Sequence, residues 1–153
     1  KRVYEHLGDK VHIELFGCAE DDPLFQNLER NFKYNNNGEL TRLGVAAVLQ
    51  RTDCFIDLSD YQAFGRTGLE AMACGATLLS TMFGGVREYT IDKVNCREVD
   101  VFDEDGCING LLSMVSSQKE IMRYKMYSIK TASNFNINKA AISEVLELTF
   151  GII

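Results

Sequence analysis

One six-residue run, ATLLST (76–81), constrains this chain more than any other stretch. It is nearly continuously apolar and too short to be a helix of ordinary length. Glycine-rich segments bracket it, EAMACG before and MFGGVRE after. A strand with no polar face has to be covered on both sides, which is the signature of a parallel sheet. A second such run, DCFIDLS (53–59), precedes it, and the segment between them, GLEAMAC, has helical spacing. Strand, helix, strand with both strands apolar defines a βαβ unit.

The rest of the chain continues the alternation. VHIELFG (11–17) reads as a strand, and a short helix follows with Pro23 near its first turn. NFKY (31–34) reads as a short strand and YNNNGE as a polar turn. Leu40, Leu43, Gly44, Ala47 and Val48 recur at i, i+3, i+4, i+7 and i+8, the apolar face of a helix. Gly75 is in position to close the GLEAMAC helix as its C′ residue. MFGGVREYT predicts a glycine turn with a short helix, and NCREVDVF (95–102) a weaker last strand. Three helical faces follow: Ile108, Leu111, Leu112 and Val115; then Met122, Met126 and Ile129; then Ile142, Val145, Leu146 and Thr149. The expectation is one α/β domain over residues 1–153, a Rossmann-like parallel sheet with helices on both faces.

Composition narrows the function. The 153 residues carry a formal net charge of −6, which excludes the basic stripe of a nucleic-acid binder. No apolar run reaches the roughly 18–20 residues of a membrane span, and no signal peptide is visible. Five cysteines without C-x-x-C spacing read as free thiols, mostly buried, in a reducing and therefore cytoplasmic setting. No His/Cys spacing suits a metal. His12 alternates with Val11, Ile13 and Leu15, as on the polar face of a half-buried strand. The opening KRVYEHL reads as the inside of a helix, so a preceding segment is expected outside this chain.

In open parallel sheets, ligands bind beyond the carboxyl ends of the strands. Three glycine-bearing segments fall there: FGCAEDD, DYQAFGRTG and MFGGVRE. FGRTG joins a strand to a helix start, where unpaired N–H groups and a partial positive charge suit phosphate. Gly65 and Gly68 are expected to let a ligand approach the backbone closely. Arg66 is mildly unfavourable at a helix N-terminus unless an anion lies nearby. A purely structural explanation is also at hand. Thr67-x-x-Glu70 has capping-box spacing, Arg66 and Glu70 can pair at i, i+4, and Gly75 is accounted for by the helix end.

AFGRTGLEAMACGATLLSTMFGGVREY resembles the signature of family 4 (group 1) retaining glycosyltransferases with the GT-B fold, and nearly the whole chain takes part in the resemblance. It implies a nucleotide-sugar donor domain. Glu70 would then accept from the ribose hydroxyls. Phe64, Gly65 and Arg66 would offer backbone amides to sugar or phosphate. Thr67, Gly68 and Leu69 would hold the diphosphate. Gly84 and Gly85 would line the neighbouring turn, Glu88 would lie near donor sugar or acceptor, and the turn at Asn37–Leu40, with Gly38 and Leu40, beside the base. Lys33 and Arg87 are expected at the surface.

Gln62 stands where the family has its first motif glutamate. An amide still donates and accepts but brings no negative charge to an oxocarbenium-like centre. The QAFGRTGLEAMACG version resembles enzymes of bacterial surface polysaccharide synthesis, capsule, O-antigen or rhamnose-rich glycan. The resemblance also implies an N-terminal half outside this chain. That half would hold the glycan or lipid-linked acceptor, the basic residues that neutralise the leaving diphosphate, and any contact with the inner membrane face. No metal or other cofactor is implied. Two other classes fit parts of the pattern. A receiver-like signalling domain would use Glu20, Asp21, Asp22, Asp57, Thr81 and Lys93, although Lys93 ends no strand. A non-catalytic nucleotide-binding module would share the glycine loops.

Overall fold

The computed structural model describes residues 1–136. They fall into two compact units, Lys1–Arg51 and a second from Thr52 onward.

The first unit contains α1 (Arg2–Leu7), β1 (Glu14–Leu15), α2 (Pro23–Gln26), β2 (Asn35–Asn36) and α3 (Arg42–Gln50). β1 and β2 pair in parallel, Glu14 opposite Asn35 and Leu15 opposite Asn36. The pairing lies one segment later than NFKY, and both strands are shorter than expected. The cause is side-chain chemistry. Asparagine is normally depleted in strands. Here Asn35 and Asn37 both donate to the Glu14 carboxylate, while their backbone amides donate to Ile13 and Leu15. Phe32 and Tyr34 turn to ring contacts instead. Arg51 and His12 add to the Glu14 hub, and His12 lies outside the strand. These partners, the Asn37 amide foremost, hold the Glu14 carboxyl down to about 2 against the cost of its burial.

Thr41 caps α3 by accepting from the Gly44 amide at 3.2 Å. The buried face is Val48 and Leu49; Leu43 is 84% exposed and Ala47 is exposed, so the expected stripe is rotated. Only the C-terminal end of this nine-residue helix enters the apolar interior.

The second unit contains β3 (Cys54–Asp57), α4 (Arg66–Ala73), β4 (Thr77–Thr81), β5 (Arg97–Val99), α5 (Glu104–Met114) and α6 (Gln118–Ala132), with a 3₁₀ turn at Gly85–Glu88. The sheet is parallel in the order β3-β4-β5. Every residue of central β4 is buried, as the apolar run requires. Leu69, Met72, Leu78, Val86, Tyr89 and Cys96 form the core cluster. α4 closes as expected. The Gly75 amide donates to Met72 and the Ala76 amide to Ala71, with Gly75 at φ 88°, a Schellman closure.

α5 starts on Asp103, whose side chain accepts from the Gly106 amide at 2.9 Å. Gly110 brings it close to β5, since a Cβ there would lie 2.9 Å from Val99. α6 departs from the expected face. Met122, Met126 and Ile129 are about half exposed or more, and Tyr124 and Ser128 are buried. A polar seam sets that rotation: Ser128 donates to the Asn95 carbonyl, Asn95 donates to Thr131, and Arg123 donates to the Lys93 carbonyl while stacking on Tyr124.

The helix expected on Ile142, Val145, Leu146 and Thr149, and the fraying expected at 150–153, lie outside the described residues. All five cysteines are free. Cys96 and Cys107 are buried, and the other three are partly exposed, so fewer are buried than expected. Burial raises each thiol above its ordinary value, Cys54 to about 11 and Cys96 to about 12.

Candidate functional site

The carboxyl ends of β3 and β4 are neighbours in the sheet, so the loops that leave them meet. The Gln62 amide donates to Phe83, and the Gly85 amide donates to Gln62 at 2.7 Å. Gln62 and Gly84 thereby form an isolated parallel bridge beyond the strands. A Cβ on Gly84 would collide with the Gln62 carbonyl, and one on Gly85 with the Ala63 carbonyl. This backbone-to-backbone approach requires the paired glycines.

Gly65 is the N-cap of α4, at φ 74° and ψ 45°, and no side chain caps the helix. The capping box expected of Thr67 and Glu70 therefore does not form. Arg66, not a residue after Thr67, is the first helical position. The Gly65 carbonyl already accepts from the Leu69 amide and from the Tyr89 hydroxyl at 2.6 Å. The Leu69 amide is thus committed within the helix, and its side chain is part of the core. The amides of Arg66, Thr67 and Gly68 precede the first intrahelical donor, the orphan N–H groups of a helix start.

The two loop glycines have a different reason from the expected one. A Cβ on Gly65 would lie 2.7 Å from the Tyr89 hydroxyl oxygen. One on Gly68 would lie 2.9 Å from the same atom and 3.1 Å from Leu78. Both positions face inward, so these glycines admit Tyr89 beneath the loop rather than a ligand above it. Tyr89 is buried, and its hydroxyl is pushed well above the ordinary phenol value, chiefly by desolvation and then by the negative charge of Asp57. Phe64 packs on Tyr89 with ring centroids 5.6 Å apart and stays partly exposed.

Arg66 and Glu70 pair at 3.2 Å across one helical turn, both side chains more than half exposed. Such a surface pair contributes about 0–1 kcal/mol. Glu88 and Arg87 lie exposed on the 3₁₀ turn. Gly38 and Leu40 belong to the first unit. There Gly38, at φ 63°, accepts from the Gly17 amide at 2.8 Å and donates to the Asn36 side chain. Lys33 is exposed and paired with Asp9.

Three residues outside the expected donor set join the site: Tyr89, Ser59 and Asp57, the last singled out above only for the receiver-like reading. The Gln62 side-chain amide donates to Asp57 at 2.8 Å and to Ser59 at 2.9 Å. A carboxylate at the end of an otherwise apolar strand was the available signal for Asp57. Among the described residues, no group of three or more His, Cys, Asp or Glu side chains is gathered as for a metal ion. No helix there is long and apolar enough to cross a membrane.

A βαβ unit with a glycine-initiated helix start beside a second glycine turn defines a class of nucleotide-binding α/β domains. The sequence model of the family described as glycosyl transferases group 1 matches residues 9–131. The chain belongs to that family. Sucrose synthase 2 of Oryza sativa subsp. japonica is 31% identical over 88 residues, covering 58% of this chain and 10% of the relative. Sucrose synthase 1 of Hordeum vulgare is 35% identical over 69 residues, covering 45% and 8%. The chain thus spans about a tenth of the length of these curated relatives.

Among solved structures, sucrose-phosphate synthase from Thermosynechococcus elongatus superposes with a TM-score of 0.75 at 16% identity, covering 90% of this chain and 38% of that one. Anabaena HepE in complex with UDP and glucose gives 0.77 at 21% identity, covering 95% and 43%. At these identities the likeness establishes the fold, that of GT-B glycosyltransferases. The family match takes the place of the receiver-like reading.

Proposed function

We propose that this chain is the donor-binding domain of a retaining, family 4 glycosyltransferase. The helix start at Gly65, with its orphan amides beside the interlocked Gly84–Gly85 turn, carries the reading. The diphosphate of a nucleotide sugar sits at the amides of Arg66, Thr67 and Gly68, where the helix dipole and N–H groups favour an anion. Arg66 leaves Glu70 to pair with phosphate, and Glu70 accepts from the ribose hydroxyls. Phe64, Gly65, Gln62, Gly84, Gly85 and Glu88 border the sugar.

In the reaction the bond between the anomeric carbon and the diphosphate oxygen breaks, and that oxygen keeps the electron pair. The acceptor hydroxyl bonds to the anomeric carbon on the same face and passes its proton to the departing diphosphate oxygen. Preorganised N–H groups stabilise the charge that develops on the leaving oxygen. No metal takes part. The acceptor is a glycan or lipid-linked glycan, held by an N-terminal half outside this chain at the cytoplasmic membrane face. The transferred unit is a hexose or rhamnose of a bacterial surface polysaccharide, and nucleic acid is not a partner. HepE has been solved in complex with UDP and glucose and with UDP-glucose, which makes UDP-glucose the first donor to test.

Isothermal titration with UDP, GDP and dTDP tests the binding part. Saturable binding of one diphosphate, weakened about tenfold or more by Glu70→Ala, supports the reading. Binding unchanged by Glu70→Ala, or none to any diphosphate, overturns it.

A further inference from the structure

The Gln62 side chain is immobilised in an unusually complete way. Its backbone amide and carbonyl are both committed to the 83–85 turn. Its side-chain amide nitrogen has two hydrogens, and both are used, on Asp57 Oδ2 at 2.8 Å and on Ser59 Oγ at 2.9 Å. Ser59 in turn donates its hydroxyl to Asp57 Oδ1 at 2.7 Å, and its backbone amide donates to the same oxygen at 3.2 Å. The ring is closed, and each donor in it has an acceptor. The assignment of nitrogen and oxygen follows from the chemistry, because the reverse flip would set the amide oxygen against the Asp57 carboxylate. What remains is the amide oxygen, Oε1, at the other terminus of the group.

We propose that Asp57, with Ser59, is a positioning residue that turns Gln62 into an obligate acceptor, holding Oε1 outward to receive a hydroxyl of the donor sugar. The inference rests on the donor-site reading above. It also accounts for the amide at position 62. A glutamate there would face Asp57 across hydrogen-bond distance, and two carboxylates so close do not both stay ionised. The negative charge sits one hydrogen bond behind the sugar contact, on Asp57. A charged acceptor strengthens the bond from the amide and polarises its oxygen. Gln62 donates nothing outward, so a sugar substituent with only acceptor atoms gains nothing from it.

The exchange of partners gives a test. Gln62→Glu places a carboxylate against Asp57. Asp57→Asn combined with Gln62→Glu restores one donor and one acceptor with their positions swapped, leaving an outward oxygen. Binding is measured for the three pairs UDP and UDP-glucose, GDP and GDP-mannose, dTDP and dTDP-rhamnose. In the pair that binds, Gln62→Glu weakens the sugar nucleotide by about tenfold more than it weakens the bare diphosphate. The double variant recovers the sugar nucleotide to within about threefold.

A ligand-free readout accompanies this. The Gln62 side-chain NH₂ gives two protected, shifted proton resonances, and Asp57→Ala, which removes the acceptor at 57, moves the proton bonded to Asp57 towards the value of a free glutamine amide. Equal effects of Gln62→Glu on diphosphate and sugar nucleotide, or no recovery in a folded double variant, overturn the assignment while the donor site stands. Failure of every bare diphosphate to bind overturns the donor site and this inference together.

Discussion

The two units of this chain are held together by opposite means. In Lys1–Arg51 the organising group is a carboxylate. Glu14 gathers His12, Asn35, Asn37 and Arg51, and a second set gathers at Glu20 from Arg30, Tyr34 and Asn36. Buried apolar side chains among its described residues are few, Phe25, Val48 and Leu49. From Thr52 onward the order reverses. A fully buried strand and the Leu69–Met72–Leu78–Val86–Tyr89–Cys96 cluster form the interior, and polar contacts trim it. The lesson is that a short parallel pair with Leu15 as its one apolar side chain forms when its amides converge on one charge. Such a pair then inherits that charge's dependence on pH.

Met72→Ala breaks the apolar side of the comparison most severely. Met72 is fully buried, and its truncation costs about 2–5 kcal/mol. Denaturant midpoints and amide exchange at β4 check this.

Acid breaks the polar side. The folded Glu14 carboxyl titrates near 2 and the unfolded one near 4.5. Its contribution, about 3 kcal/mol in all, is therefore present above about 4.5 and is lost as pH falls through about 2. Exchange protection at Asn35 and Asn37 followed from pH 6 to 2 should fall in that window. It should stay flat there in Glu14→Gln.

Tyr89→Phe sharpens the contrast within the second unit. It removes one hydrogen bond, leaves the Gly65 carbonyl with the Leu69 amide alone, and costs about 1–2 kcal/mol. Exchange at α4 should rise more than at β4. Arg66→Ala is the smallest, about 0–1 kcal/mol in stability. It still weakens diphosphate binding by about tenfold. That split between stability and affinity separates a ligand-facing arginine from a merely surface one.

Much of this was legible in the sequence. The apolar runs at 53–59 and 76–81 have the length of strands, and Gly75 and the Gly84–Gly85 pair punctuate them. The β3–α4–β4 unit and its site loops follow from those signals alone. The parts that were not legible depend on partners far apart in the chain. Tyr89 and the Gly65 carbonyl are 24 residues apart. Asn95 and Thr131, which help set the rotation of α6, are 36 apart. Periodicity gave Met122, Met126 and Ile129 the buried face because a polar seam has no hydropathy signal. Likewise NNN reads as a turn until Glu14 stands opposite it. The capping box failed for a local reason: Gly65 in the left-handed region begins the helix two residues before Thr67 and leaves it inside the first turn.

The central claim is that the start of α4 and the turn beside it bind a nucleotide diphosphate. The most direct measurement is an amide chemical-shift titration with UDP, GDP and dTDP, run on the native chain and on Glu70→Ala. The account predicts saturable shifts concentrated at residues 62–70 and 84–88 with one of the three, attenuated at the same residues in the variant. Shifts confined to other parts of the chain, or no shifts with any diphosphate, would contradict it and leave α4 as a helix whose glycines serve only to seat Tyr89.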